Sequence, residues 1–231
     1  PISLHHNLFS TCRDRHPTLG SADPCDALTI VDFRNNVIYN WSATANFCDH
    51  FINALNNYWR PGPETDPRRK PIAMKGSLPR AARGFMAGNV FEGQDDWTRD
   101  NYATLDFQRW LGPGKNYKYA GTLDDWMADA PELGADAPAT QSAKQAYELV
   151  LAHAGSSLKR DAVDKRVISD VRKRRGKLLD SQDQVGGWPS LKSAPAPKDT
   201  DRDGMPDAWE NANNLDPRNP EDRNGDKDRD G

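Results

Sequence analysis

Two stretches of this sequence hold residue types that could do chemistry. The first is Leu4-His5-His6-Asn7-Leu8-Phe9, followed by Arg13-Asp14-Arg15-His16-Pro17. Histidine changes charge near neutral pH and can move protons. Arginine grips carboxylates through two parallel hydrogen bonds. A basic, aromatic, hydrogen-bonding cluster this dense suits the lining of a site better than the filling of a core. A surface strand running into a charged turn would have the same composition.

The second stretch runs Asp199-Thr200-Asp201-Arg202-Asp203-Gly204-Met205-Pro206-Asp207-Ala208-Trp209-Glu210. Counted from Asp199, oxygen side chains fall at positions 1, 3, 5, 9 and 12, with Gly at 6. That is the spacing of a calcium loop, in which alternate side chains converge and Gly allows a sharp turn. Asp199, Asp201, Asp203, Asp207 and Glu210 would supply carboxylates, and Met205 a backbone carbonyl. Pro206 departs from the EF-hand pattern and the preceding segment is Pro-rich, so a bacterial EF-like or thrombospondin-type repeat is expected. Asp226, Asp228 and Asp230, ahead of Gly231, repeat the first half of the loop. The cofactor expected is Ca²⁺; without it, this charge density should repel and stay unfolded.

These residues must be positioned by a chain of 231 residues, enough for one sizeable core and an appendage. A net charge of −3 gives no case for nucleic-acid binding. No apolar run approaches the ~20 residues of a membrane span. There is no signal peptide, but the chain starts at Pro1 without Met and stops inside a motif, so a fragment of a longer protein is expected. Three cysteines, Cys12, Cys25 and Cys48, leave at least one unpaired. Cys12 could bridge Cys25, or all three could be buried thiols.

The first half is poor in helix signals and contains a weak repeat. Asn7, Asn36, Asn57 and Asn89 each stand just before a short apolar or aromatic run. One short strand per unit, at intervals of a few tens of residues, fits a stacked solenoid. In a parallel β-helix, stacked Asn side chains can bond one another and satisfy the backbone at the turns. Val31-Asp32-Phe33 and Val37-Ile38-Tyr39 also read as strands. The Pro-rich stretch Pro61 to Pro79 reads as a loop. Helices are predicted over Thr140 to Ala154, with Thr140 as the cap, and over Asp161 to Arg174. The basic run Arg172 to Arg175 suits the negative end of a helix dipole better than a polyanion patch. The expected domains are β-helix coils over 1–123, a helical segment packed on them over 124–190, a linker over 191–198, and an Asp-rich calcium repeat over 199–231.

With its order His-His-Asn-aromatic, then Arg15 ten residues after His5 and Pro17 two beyond, the opening stretch resembles the pectate lyases of polysaccharide lyase family 1. Asp32-Phe33-Arg34-Asn35-Asn36-Val37-Ile38-Tyr39 resembles the family's next coil. The helical segment, Gly186-Gly187-Trp188-Pro189 and the Asp-rich tail resemble the C-terminal part of secreted bacterial members. The resemblance implies a mainly β fold, a right-handed parallel β-helix. It implies a secreted, monomeric enzyme that cleaves polygalacturonate by calcium-dependent β-elimination, leaving 4,5-unsaturated products. It places the catalytic base on Arg15, although arginine ordinarily stays protonated. His5, His6, Arg13, His16 and Arg34 are the candidate substrate-binding or supporting residues, with Lys70 a further one. Asn7, Asn36, Asn57, Asn89 and Pro17 would be structural.

Two departures qualify this picture. Where family members carry another basic residue shortly after the catalytic Arg, this chain has Thr18, Leu19 and Gly20. The family's catalytic calcium ligands also precede the motif, so this stretch is expected to be half a site. A non-catalytic, carbohydrate-binding or adhesin-like β-helix is the alternative. A β-helix hydrolase would need paired carboxylates; Asp95-Asp96 and Asp124-Asp125 read as loop residues and offer little support.

Overall fold

The computed structural model describes residues 2–19, 29–48, 50–74, 83–107, 111–112, 115–116, 122–133, 137–190 and 193–225. Within residues 1–189 the chain winds through three parallel sheets. The first coil is β1 (Ile2–His5), β2 (Leu8–Ser10) and β3 (Thr18–Leu19). The second is β4 (Ile30–Arg34), β5 (Val37–Tyr39) and β6 (Ala45–Phe47); the third is β7 (Phe51–Leu55), β8 (Tyr58–Arg60) and β9 (Ile72–Met74). The fourth is β10 (Gly84–Ala87), β11 (Val90–Phe91) and β12 (Leu105–Asp106). Equivalent strands stack as β1-β4-β7-β10, β2-β5-β8-β11 and β3-β6-β9-β12, which is a parallel β-helix.

Register lines like residues up along the axis. Val31, Ile52 and Gly84 stack in one inward row, and Phe33, Ala54 and Met86 in the next. Ile38 pairs with Trp59, and Trp59 with Phe91, whose rings lie 5.4 Å apart. Strands buried on both faces need apolar residues at consecutive positions; Val37, Ile38 and Tyr39 are all fully buried.

The corner between the first and second sheets repeats in every coil. His6, Asn35, Asn56 and Gly88 all have positive φ, between 51° and 67°. Asn and Gly tolerate that left-handed geometry best. The next residue is always Asn. Asn7 donates through its backbone N and its Nδ2 to Asn36 Oδ1, both at 3.0 Å. Asn36 bonds Asn57 Oδ1 in the same way at 2.9 and 3.0 Å, and Asn57 bonds Asn89 Oδ1 at 2.9 Å twice. The ladder has a fifth rung that the apolar-run pattern does not mark. Asn89 donates to Asn101 Oδ1 at 2.9 and 3.0 Å, and Asn101 begins a 3₁₀ turn rather than preceding a strand.

The Asn pattern marks only the strands of the second sheet, and beyond them the sequence shows just β4, at Val31-Asp32-Phe33, so the third sheet and the rest of the first are unmarked. Pro61 to Pro79 reads as loop throughout, whereas Ile72–Met74 forms β9. The alternation of buried Ile72, half-buried Ala73 and buried Met74 is too short to register as a period. Asp95-Asp96 and Asp124-Asp125 lie at the first turns of α1 (Asp95–Arg99) and α2 (Leu123–Trp126), not in loops. There they face the positive end of the helix dipole.

Helices α3 (Ala143–His153) and α4 (Ala162–Lys173) cover the second sheet from outside. Ala143 and Val150 pack on Val37 and Tyr58, while Leu151 and Val171 pack on Tyr39. Ser142 caps α3 in a reciprocal box with Gln145. Thr140, the cap expected from sequence, instead donates to Asn35 Oδ1 at 3.1 Å and accepts from Asn56 Nδ2 at 3.0 Å. The helix therefore starts later, and its leader is tied to the ladder corner. In the basic run, Arg174 pairs with Glu92, and Arg175 lies 3.8 Å from Asp170.

Trp126 fills the interior below the fourth coil and is fully buried. A Cβ on Gly84 would come within 2.2 Å of its ring and 2.6 Å of the Ile52 carbonyl. Gly84→Ala should therefore lower stability by about 1–3 kcal/mol, because the clash includes backbone that cannot turn aside. Urea denaturation followed by tryptophan fluorescence measures it; an unchanged midpoint would show that the coil yields freely.

Residues 190–231 form a separate compact unit. Its described part holds the 199–205 loop, the short helix α5 (Asp207–Ala212) and a 3₁₀ turn at Asp222–Asn224.

Candidate active site and calcium site

The first coil carries the predicted active-site residues, and its topology separates them. β1 ends at His5, and His6 turns into the left-handed corner. The two histidines thus do not alternate across a strand. Their Nδ1 atoms lie 2.9 Å apart, and His6 Nε2 is 2.8 Å from Gln141 Oε1. Asn7 begins the ladder. Arg15 stands at the other end of β2, on the corner leading to β3. A three-residue strand between the corners spans roughly 10 Å. The structure does not bring the His pair onto Arg15.

Arg15 is itself in a left-handed conformation, φ 58°. Its backbone N donates to Asp14 Oδ1 at 2.9 Å and to the Thr44 carbonyl at 3.0 Å. The side chain is 71% exposed, with Asp14 Oδ2 at 3.8 Å from Nε. The corner loops of successive coils stack beneath it. Ser42 Oγ donates to the Arg13 carbonyl at 2.8 Å, and Glu64 N to Asn40 Oδ1 at 2.7 Å. Arg13, also exposed, lies 3.6 Å from Asp180. Exposed Arg68, Arg69 and Lys70 follow on the third coil's loop. Lys70 Nζ donates to the Leu105 carbonyl at 3.0 Å. Arginines on stacked loops can grip successive carboxylates of a polyanion.

Two of the supporting residues expected from sequence are buried instead. Arg34 is 2% exposed. It makes a 2.6 Å ion pair with Asp32 and donates to the Pro138 carbonyl at 2.9 Å. A carboxylate two residues away on the same outer face locks it, which the alternation of the strand could have signalled. His16 is 1% exposed, between the rings of Trp41 and Trp59 at 6.2 Å each. The cis bond from His16 to Pro17 follows it directly. Neither ring nitrogen has a hydrogen-bond partner. Both side chains are enclosed rather than exposed for contact with a substrate.

Burial pulls the His16 imidazole down to about 4; Asp14 opposes the shift and Arg69 adds to it. The folded protein then holds His16 neutral while the unfolded chain protonates near 6.5. Between those values the unfolded state binds more protons. Stability should fall as pH drops from about 6.5 to 4 and level off below, by at most roughly 3 kcal/mol. Urea midpoints across that range, compared between the protein and His16→Phe, check this. A difference independent of pH would remove His16 as the cause.

Cys12 is a free thiol, its Sγ 3.7 Å from the Ser10 carbonyl; Cys25 lies outside the described residues. The resemblance of the opening stretch to the pectate lyases implies a calcium ion beside the base. Within the described residues of 1–189, no cluster of acidic, His or Cys ligand atoms forms such a site. No catalytic step is therefore assigned to an ion there.

The 199–225 unit does gather acidic oxygens. Ligand atoms of Asp199, Asp201 and Asp203 lie within 4.8 Å of one another, as do those of Asp203, Glu210 and Asp222. Glu210 is completely buried, and neither of its oxygens has a partner. Burial, with Asp201, Asp203 and Asp222 around it, pushes its carboxyl up to about 7. Such a donor set can hold a hard cation. Asp207, expected as a ligand, is engaged elsewhere. It accepts from Thr200 N and Oγ1 at 2.7 Å each and pairs with Lys198 at 2.9 Å. Met205 N donates to Asp203 Oδ1 at 2.7 Å, which shapes the loop. Asp226, Asp228 and Asp230 lie outside the described residues.

Three parallel sheets wound around an asparagine ladder define a parallel β-helix protein. Over 94% of its length the chain is 27% identical to a protein of Aspergillus terreus named "Probable pectate lyase C". It is likewise 27% identical to that of Emericella nidulans and 26% to that of Aspergillus flavus, again over 94% of the chain. The chain is thus similar to proteins named as probable pectate lyases, which agrees with the resemblance carried by its opening stretch. It spans about half the length of these curated relatives, 47–48%. No protein-family model matches the sequence.

Proposed function

We propose that the protein is a secreted, calcium-dependent pectate lyase cleaving polygalacturonate by β-elimination. The observation that carries this reading is the similarity along 94% of the chain to proteins named as pectate lyases. Arg15 supports it: an exposed guanidinium on a rigid corner, with further basic residues on the loops stacked beside it.

In the proposed reaction a base takes the C5 proton of a galacturonate residue. The C5–H electron pair forms the C4=C5 double bond, and the C4–O bond breaks with its pair on the leaving oxygen. Arg15 is the assigned base. Asp14 and the Thr44 carbonyl fix its backbone. Arg13, and Arg68 on exchanging its bonds to Asp66, would hold neighbouring uronate carboxylates in place of the basic residue missing at Thr18 to Gly20. The chain's own calcium ligands, Asp199, Asp201, Asp203 and Glu210, serve the tail.

Polygalacturonate treated with the full-length protein and calcium should yield unsaturated products absorbing in the near ultraviolet, and a chelator should stop their formation. Binding of pectic oligomers without any such product would instead indicate a carbohydrate-binding β-helix.

A further inference from the structure

The carboxylates in the tail unit do not follow the linear order of a calcium loop. Asp201 and Asp203 come from the loop, Glu210 from α5, and Asp222 from the 3₁₀ turn beyond it. Each has a buried oxygen without a partner: Asp201 Oδ2, Asp203 Oδ2, Asp222 Oδ1 and both oxygens of Glu210. A buried, unpaired carboxylate is costly, and several together more so. The free oxygens are also aimed by bonds made elsewhere. Asp222 Oδ2 accepts from Asp216 N at 2.8 Å, leaving Oδ1 for the interior. Asp203 Oδ1 accepts from Met205 N, leaving Oδ2. Arg223 Nη1 donates to the Asp203 carbonyl at 3.4 Å, joining the same two segments again.

We propose that Asp222 is a ligand of the tail's calcium ion and that Asp207 is not, so that the ion clasps residues 199–212 to the segment 216–224. This rests on the calcium reading of the loop and changes what the ion does. A self-contained loop binds calcium with the next repeat free. Here Asp222, from the 3₁₀ turn beyond α5, completes the site. Asp207 becomes a latch, holding Lys198 and Thr200 against the start of α5.

Calorimetric titration of calcium into the whole metal-stripped chain tests the ligand set. Glu210→Gln and Asp222→Asn should each weaken binding by about tenfold or more, and Asp207→Asn by less than about threefold. The wild type failing to bind would overturn both the calcium reading and the clasp. Loss in Glu210→Gln with wild-type affinity in Asp222→Asn would keep the calcium reading and overturn the clasp. Equal loss in Asp207→Asn and Asp222→Asn would restore the linear loop and overturn it as well. Asparagine keeps an oxygen for the Asp216 N–H, so the substitution removes charge rather than that bond. Trypsin cleavage after Arg218 and Arg223 supplies the second readout. Calcium should protect the wild type and Asp207→Asn but not Asp222→Asn. A purely structural role would speed cleavage without calcium and leave protection by calcium intact, which overturns the proposal.

Discussion

Arg15→Ala should abolish the formation of unsaturated product from polygalacturonate while leaving the fold unchanged. A positioned base contributes about 10²–10⁴-fold in rate, so the variant should retain less than about one per cent of activity. The fold should survive because the Arg15 side chain is mostly exposed and its backbone bonds go to Asp14 and Thr44. Arg15→Lys keeps a cation but changes the proton-accepting atom and its reach. It should recover binding of the polyanion with little recovery of turnover. Initial rates at saturating and limiting substrate separate the two effects. An alanine variant that keeps its maximal rate and only binds more weakly would make Arg15 a substrate grip, and the base would then have to be sought on another element.

The second large effect lies far from any chemistry. Asn57→Ala should destabilise the β-helix by about 3–5 kcal/mol. Asn57 is fully buried. Its Oδ1 accepts from both Asn36 N and Asn36 Nδ2, and its own Nδ2 donates to Asn89 Oδ1 and to the Phe33 carbonyl. Alanine strands two donors and a carbonyl in a space water cannot reach. Asn7→Ala is the control. Asn7 is exposed at one end of the ladder, and its backbone N still reaches Asn36 Oδ1 after truncation. Its cost should stay below about 1 kcal/mol. Equal losses at the two rungs would mean that the ladder stabilises through the turn conformation rather than through satisfied groups.

Much of the fold could be read from four asparagines, and the reason is physical. A ladder rung must be Asn, since its side chain must accept two bonds and donate in the same plane. That demand is written in residue identity. The third sheet was not legible, because Thr18–Leu19, Ile72–Met74 and Leu105–Asp106 are two- and three-residue strands set by the register of their neighbours. Asn101 was missed because its rung opens a 3₁₀ turn. At the site, the spacing of Arg15 and Pro17 placed the corner, but spacing carries no burial. Arg34 and His16 were read as grips because their charge types suggest it. The partner of Arg34, Asp32, lies two residues away on the same strand and was legible from its alternation, whereas the two tryptophans around His16 come from later coils and meet it only once the coils are stacked. In the tail, loop spacing pointed to the acidic cluster but assigned Asp207 by position, whereas Asp222 entered from outside the window.

The intervals between rungs are 29, 21, 32 and 12 residues. A ladder bonded at these irregular intervals works as a phase marker. Each coil is reset at its asparagine whatever length of chain preceded it, and surplus residues leave as loops between sheets. Length changes in the loops beside Arg15 therefore carry no penalty in strand register. Groups that meet a polymer can be lengthened, shortened or exchanged coil by coil, as teeth on a rack, while the hydrophobic interior keeps its stacking.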